Sequence, residues 1–220
     1  FAARDRAAAR TFARAANTAG VERVVYLGGL DHEADGPSEH LRSRHEVAGI
    51  LAAEGPPTAY AQAAMIVGAG SASFLILRHL VQRLPLMLTP RWVDTRSQPI
   101  AIDDVVGALV ALATHEPLPA EVELGGADVL TYRDMMGRFA AVAGRRAPAV
   151  IPVPVLTPRL SSHWVALFTP VDASLVRPLV DGLSVEMTVH TPPPAGINDT
   201  PLGFDDAVRA ALGDAANYPR

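Results

Sequence analysis

Cysteine is absent from the 220 residues, which excludes disulfides, thiolate catalysis and cysteine-rich zinc sites. Lysine is absent as well, so all 19 basic residues are arginine. Schiff-base chemistry and a phosphate-loop lysine are excluded with it. A net charge of -4 lacks the basic excess of a protein that reads nucleic acid directly. No apolar run reaches the roughly 18 to 20 residues that a membrane-spanning helix needs. The G-x-S-x-G elbow of the α/β-hydrolases is missing. His32-Glu33, His45-Glu46 and His115-Glu116 all lack the second histidine of a zinc-protease helix, and no metal site is expected. A reducing, cytoplasmic setting fits this composition.

What remains is the composition of a globular domain, 49% hydrophobic and 19% charged, long enough for one domain or one domain with a small appendage. Residues 4–18 place apolar positions at helical spacing, with Asn17 and Gly20 closing the segment. The chain thus opens already in helical pattern, as if partway into a larger design. VERVVYLGG (21–29) reads as a buried parallel strand. Ser38 is placed to cap a helix running to about Ala53, which EGPP ends. TAYAQAAMIVG (58–68) reads as a second buried strand, and SASFLILRHLVQRLP as a helix stopped by Pro85. This alternation implies parallel strands joined by right-handed crossovers.

Further on the elements shorten. LMLTPRW and TRSQPIAI read as short strands or extended loops, and Asp103 or Asp104 is placed to cap the helix VVGALVALATH. VELGG reads as a strand. Thr131-x-x-Asp134 forms a capping box before YRDMMGRFAAVAG. AVIPVPVLTP is extended, SSHWVALF helical, HTPPPAGINDTP a loop, and GFDDAVRAALGDA a short amphipathic helix. The expected architecture is α/β: a mainly parallel, Rossmann-like sheet flanked by helices over residues 1–115, then a smaller α+β lobe over 116–220.

Gly68-Ala69-Gly70-Ser71-Ala72-Ser73 follows a strand and leads into a helix, as a dinucleotide fingerprint does. Its third small position is Ser73, and no acidic residue closes a further strand about 20 residues on. The glycines are read instead as ending a late strand. VVYLGGL (24–30) and HLRSRHEVAGIL (40–51) are more informative together. A strand ending in small residues lets a flat ligand lie against backbone. The following helix then carries His40 and Arg44, at i and i+4, along one face toward the same crevice. An exposed polar helix face is the alternative.

In their order and spacing these pieces resemble the atypical, extended short-chain dehydrogenase/reductase superfamily, in its NmrA-like branch. The matching stretches are RAAARTFARAANTAGV, VERVVYLGGL, SEHLRSRHEVAGIL, AAMIVGAGSASF, QPIAIDDVVGALVALA, ELGGADVLTYRDMM, SSHWVALFTPV and RPLVDGL. The resemblance implies NAD(P) as cofactor and a small-molecule substrate, and it allows a homo-oligomer. It places residue 1 after the glycine-rich strand–turn–helix that holds the pyrophosphate. Where that superfamily carries a Tyr-x-x-x-Lys catalytic pair, this chain has His40-x-x-x-Arg44, and Gly28 or Gly29 stands in place of the preceding Ser or Thr. The resemblance therefore implies His40 as proton donor and Arg44 as ribose contact. Arg44 would not tune a neighbour as lysine does, because its charge is fixed and its fork planar.

By the same resemblance Gly28, Gly29, Ala63, Ala64, Met65 and Ile66 border the cofactor. Leu30, Gly68, Trp92, Arg96 and Gln98 line the substrate region between core and C-terminal lobe. Two functions stay open: an NAD(P)H-binding oxidoreductase with altered or weak catalysis, and a non-catalytic NmrA-like redox sensor or scaffold subunit.

Overall fold

The structure, a computed structural model, describes residues 2–30, 39–89, 91–152 and 185–215. α1 (Ala2–Thr18) is closed by Gly20 at φ +69°. β1 (Val24–Gly29), α2 (Glu39–Glu54) and β2 (Thr58–Ala63) follow. The expected Ser38 cap lies outside the described residues. β1 pairs with β2 in parallel, from Val24 opposite Thr58 to Gly29 opposite Ala63. The third strand of this sheet is β7 (Glu121–Leu124), parallel to β2 on its far side, so the order is β1-β2-β7. Its residues lie beyond position 115, yet they complete the sheet begun by β1.

The run expected as a single strand over 58–68 is two strands. β2 stops at Ala63, and β3 (Ile66–Val67) pairs in parallel with β6 (Ile100–Ala101) in a separate sheet. Backbone bonds pull the intervening residues apart: Ala64 N–H donates to Leu124, while the Met65 carbonyl accepts from Ile100 N–H. α3 (Ala72–Arg83) is capped by Ser71, whose hydroxyl accepts from Phe74 N–H. Beyond it lie β4 (Leu86–Thr89), a 3-10 turn (Arg91–Asp94) and β5 (Arg96–Ser97).

α4 (Ile102–Thr114) begins after Ala101 with no side-chain cap, contrary to the expectation for Asp103 or Asp104. The Asp104 carboxylate instead accepts from the backbone N–H of Leu202 at 2.8 Å. β8 (Leu130–Thr131) pairs antiparallel with β5. α5 (Tyr132–Val142) opens with the expected capping box, reciprocal between Thr131 and Asp134. β9 (Ala149–Pro152) runs parallel to β4, and α6 (Phe204–Ala215) is the last described helix. SSHWVALF, RPLVDGL and the end of the Pro-rich stretch lie outside the described residues.

Helices cover both faces of the three-stranded sheet. On one face α1 and α2 pack through Ala9, Ala13, Val47 and Leu51, with Tyr26 of β1 beneath them. Polar ties flank that seam: Arg6–Glu46 at 2.8 Å, Arg10–Glu54 at 3.1 Å, and Ser43 donating to Asp5. On the other face α4 covers Val25 and Leu27 with Ala59, Ala61, Val105, Ala108 and Leu112. The period-two alternation of Val25-Tyr26-Leu27 divides β1 between the two layers. A second core joins α3, α5 and α6 around Phe74, Phe139 and Phe204. No helix among the described residues is long and apolar enough to cross a membrane.

Candidate functional site

The carboxyl edge of the sheet is built by four consecutive features. Gly29 ends β1 opposite Ala63, and Leu30 N–H extends the ladder by donating to the Ala63 carbonyl at 2.9 Å. Ala64 turns toward Leu124 of β7, and Met65 turns toward Ile100 of β6. The chain forks here, with the three-stranded sheet on one side and the β3–β6 pair on the other. In open α/β sheets, ligands bind outside the carboxyl ends of the strands.

Sequence reading gave Gly28 and Gly29 the task of exposing backbone. The structure gives them a packing reason. A Cβ at Gly28 would lie 2.5 Å from Tyr60 Cε2 and 2.7 Å from its hydroxyl, and one at Gly29 would lie 2.5 Å from Leu41 Cδ2. Tyr60 is fully enclosed: its ring stacks on Tyr26 at 5.6 Å and meets the edge of His45 at 5.4 Å. Its hydroxyl points to the Gly29 carbonyl at a long 3.5 Å. Sequence reading missed Tyr60 because its importance depends on the β1–β2 register, which sets Tyr26 beside Tyr60.

The Leu41–Gly29 approach brings the first turn of α2 to the carboxyl end of β1. His40 lies in that turn, and its side chain is outside the described set. Arg44 is half-buried and makes no ion pair among the described residues. A half-buried guanidinium without a carboxylate retains its full donor fork for a ligand oxygen. No group of three metal-ligating side chains occurs among the described residues.

The remaining predicted residues spread away from this edge. Ile66 belongs to β3, and its carbonyl accepts from the Ser71 hydroxyl at 2.7 Å. Gly68 faces Ile102 at the start of α4. The Gly68–Ser71 turn therefore serves strand end and helix cap. Gln98 sits beside the carboxyl end of β7. It donates to the Gly126 carbonyl at 2.8 Å and accepts from Val189 N–H at 2.9 Å, so its amide clamps two backbone segments. Arg96 is exposed and paired with Glu186 at 3.6 Å.

Trp92 is buried in the second core with Met65, its ring edge-on to Tyr132 at 5.9 Å. Trp92 Nε1 and Thr89 Oγ1 are buried donors with no hydrogen-bond partner among the described residues. Burial pushes the Tyr132 phenol up from its ordinary value, with the Ser97 hydroxyl opposing.

No protein-family model and no curated protein matches the chain. Solved structures do. A nucleoside-diphosphate-sugar epimerase from Staphylococcus aureus is 15% identical, with a TM-score of 0.66 over 91% of this chain and 69% of that one. The Citrobacter sp. triphenylmethane reductase complexed with NADP(H) is 14% identical, with a TM-score of 0.69 over 93% and 70%. An NADPH-dependent quinone oxidoreductase complexed with NADPH from Escherichia coli is 15% identical, with a TM-score of 0.68 over 93% and 70%. With its parallel β1-β2-β7 order and its helices on both faces, the chain carries the Rossmann-like α/β fold that these epimerases and reductases share.

Proposed function

We propose that the chain binds the nicotinamide half of NAD(P)H at the carboxyl edge of β1 and β2. It would then act as an oxidoreductase of the atypical short-chain dehydrogenase/reductase type. The observation that carries this reading is the contact of Leu41 with Gly29, because it sets the His40-x-x-x-Arg44 turn over the strand ends. Arg44 fits such a ligand: it is half-buried, cationic and without a carboxylate among the described residues. Two of the similar structures are complexes with NADP(H) and NADPH, which supports the same cofactor here.

When bound, the cofactor supplies the hydride. The chain supplies position and proton: Arg44 holds ribose or phosphate oxygens, and His40 carries the proton to the substrate. Leu30 and Ala63–Met65 form an apolar floor that limits water. The substrate lies beyond Met65, on the side of the fork toward Trp92. The pair lacks the phenol of the Tyr-x-x-x-Lys arrangement and offers the His40 imidazole in its place, so turnover is slow.

A non-catalytic redox sensor or scaffold is the second reading, favoured by Tyr60. Its ring fills the space over Gly28, where the resemblance expects a Ser or Thr hydroxyl. NADPH oxidation assayed with quinone and carbonyl acceptors separates the two readings. Turnover that falls in His40→Ala supports the enzyme; saturable binding with no turnover on any acceptor supports the sensor.

A further inference from the structure

Three polar side chains follow one another through β4, the 3-10 turn and β5 with their polar atoms buried. They are the Thr89 hydroxyl, the Trp92 indole N–H and the Ser97 hydroxyl, and none has a hydrogen-bond partner among the described residues. The side chains are almost fully enclosed, with Thr89 at 1%, Trp92 at 6% and Ser97 at 0% exposure. Tyr132 joins them. Its ring meets that of Trp92 edge-on at 5.9 Å, and the pairing of β5 with β8 brings it up to Ser97. The Ser97 hydroxyl faces the Tyr132 phenol without completing a hydrogen bond to it. Burial keeps that phenol in its neutral, donating form.

A buried donor without an acceptor forfeits its hydration and gains nothing in return, so native interiors hold few of them. Three along one stretch of chain are more than core packing explains. An ordered water is the ordinary occupant of such a place, since buried waters bridge groups of this kind. The chemistry of the donors favours another. The indole N–H can only donate, and the hydroxyls can turn to donate with it. Together they call for an acceptor. A water would carry two O–H groups of its own into a core shared with Met65, Met87 and Val93. A carbonyl oxygen accepts two hydrogen bonds and brings no hydrogen. An apolar body attached to it suits the methionines, whose unbranched side chains adapt to irregular shapes. An anion would lose its hydration here and gain only neutral donors.

We propose that Trp92 and Ser97, backed by Thr89 and Tyr132, form a subsite for an uncharged carbonyl oxygen. The assignment rests on the oxidoreductase reading above and makes the substrate an apolar ketone or aldehyde. Acetophenone and ethylbenzene, which differ by that oxygen, are the probes. Each is titrated into the whole chain without cofactor while the Trp92 Nε1–Hε1 resonance, assigned through Trp92→Phe, is followed. Acetophenone should shift it saturably, with a dissociation constant on the order of millimolar, and ethylbenzene should bind about tenfold more weakly. Trp92→Phe and Ser97→Ala should each weaken acetophenone about threefold, read from the ligand's own signals. Equal affinity for the two probes, binding that leaves the Trp92 resonance in place, or full affinity in folded variants would overturn the proposal. So would a water in lasting contact with the Trp92 N–H that acetophenone does not displace. Acetophenone at Trp92 in a chain that fails to bind NADPH would refute the strand-end reading and uphold the subsite. NADPH binding with no effect of acetophenone on Trp92 would refute the subsite alone. The resonance followed in the unsubstituted chain keeps the test decisive even if a variant does not fold.

Discussion

The phenol of Tyr60 occupies the space that a side chain at Gly28 would need, its hydroxyl 2.7 Å from the position of a Cβ. Tyr60 cannot withdraw easily, because Tyr26 stacks on one side of it and His45 meets its edge. Gly28→Ala should therefore cost about 1–3 kcal/mol, the usual range for overpacking. Gly29→Ala should cost less, since it meets only the flexible end of Leu41. Urea unfolding of Gly28→Ala in a Tyr60→Leu background provides the check. The alanine penalty should shrink there, and an equal penalty in both backgrounds would refute the packing argument.

β1 offers a second test. Val24 and Leu30 donate their N–H groups toward β2, so Tyr26 and Gly28 do so as well by the alternation of a parallel ladder. Val25, Leu27 and Gly29 face the other edge, where no strand pairs among the described residues. In the 220-residue chain, the amides of Val25 and Leu27 should exchange at least tenfold faster than those of Tyr26 and Gly28. Uniform protection along β1 would mean that another strand covers this edge.

Asp128 ties α6 to the rest of the fold. Its carboxylate accepts from the backbone N–H of Phe204 at 2.7 Å, and Arg138 bridges it to Asp205. The Phe204 N–H, opposed by burial and aided by Arg138, holds the Asp128 carboxyl below its ordinary value. A depressed carboxyl stabilises the fold above the unfolded value near about 4, and this contribution fades as pH falls through the folded value. Asp128→Asn should thus flatten the loss of stability below about pH 4. Asp128→Ala, which removes the acceptor at the start of α6, should cost about 1 kcal/mol at neutral pH. Thermal melts of the three proteins from pH 3 to 7 measure both effects.

The resemblance implies Gln98 beside a substrate, yet its amide satisfies Gly126 and Val189 backbone groups. Gln98→Ala leaves both without their partner and should lower stability by about 2 kcal/mol. Faster amide exchange at Val189 should accompany it. A variant as stable as the parent would return Gln98 to the substrate region alone.

The parts of the fold that were legible in sequence are those fixed locally. VVYLGG is apolar and glycine-ended, Thr131-x-x-Asp134 has the spacing of a reciprocal cap, and Gly20 closes α1 in the left-handed region. The break at Ala64–Met65 was not legible, because AAMIV is an unbroken apolar run and carries no turn residue at that point. Leu124 and Ile100, far along the chain, impose it through backbone bonds. Asp104 misled for the same reason: its partner is the distant Leu202, not its own helix. At the site, the His40–Arg44 spacing could be read directly. The filling of Gly28 by Tyr60 required the register of two strands.

The most direct measurement is an NMR titration of NADPH into the 220-residue chain and its Arg44→Ala variant. The only Gly-rich turn leading into a helix among the described residues is Gly68–Ser71, and its Ser71 hydroxyl is engaged by Ile66 and Phe74. With contacts limited to the nicotinamide half, the account predicts a dissociation constant on the order of millimolar. Shifts should centre on Leu30, Ala63–Met65 and Arg44, and Arg44→Ala should weaken binding about tenfold. Micromolar affinity that survives Arg44→Ala, or shifts confined to residues distant from the ends of β1 and β2, would contradict it.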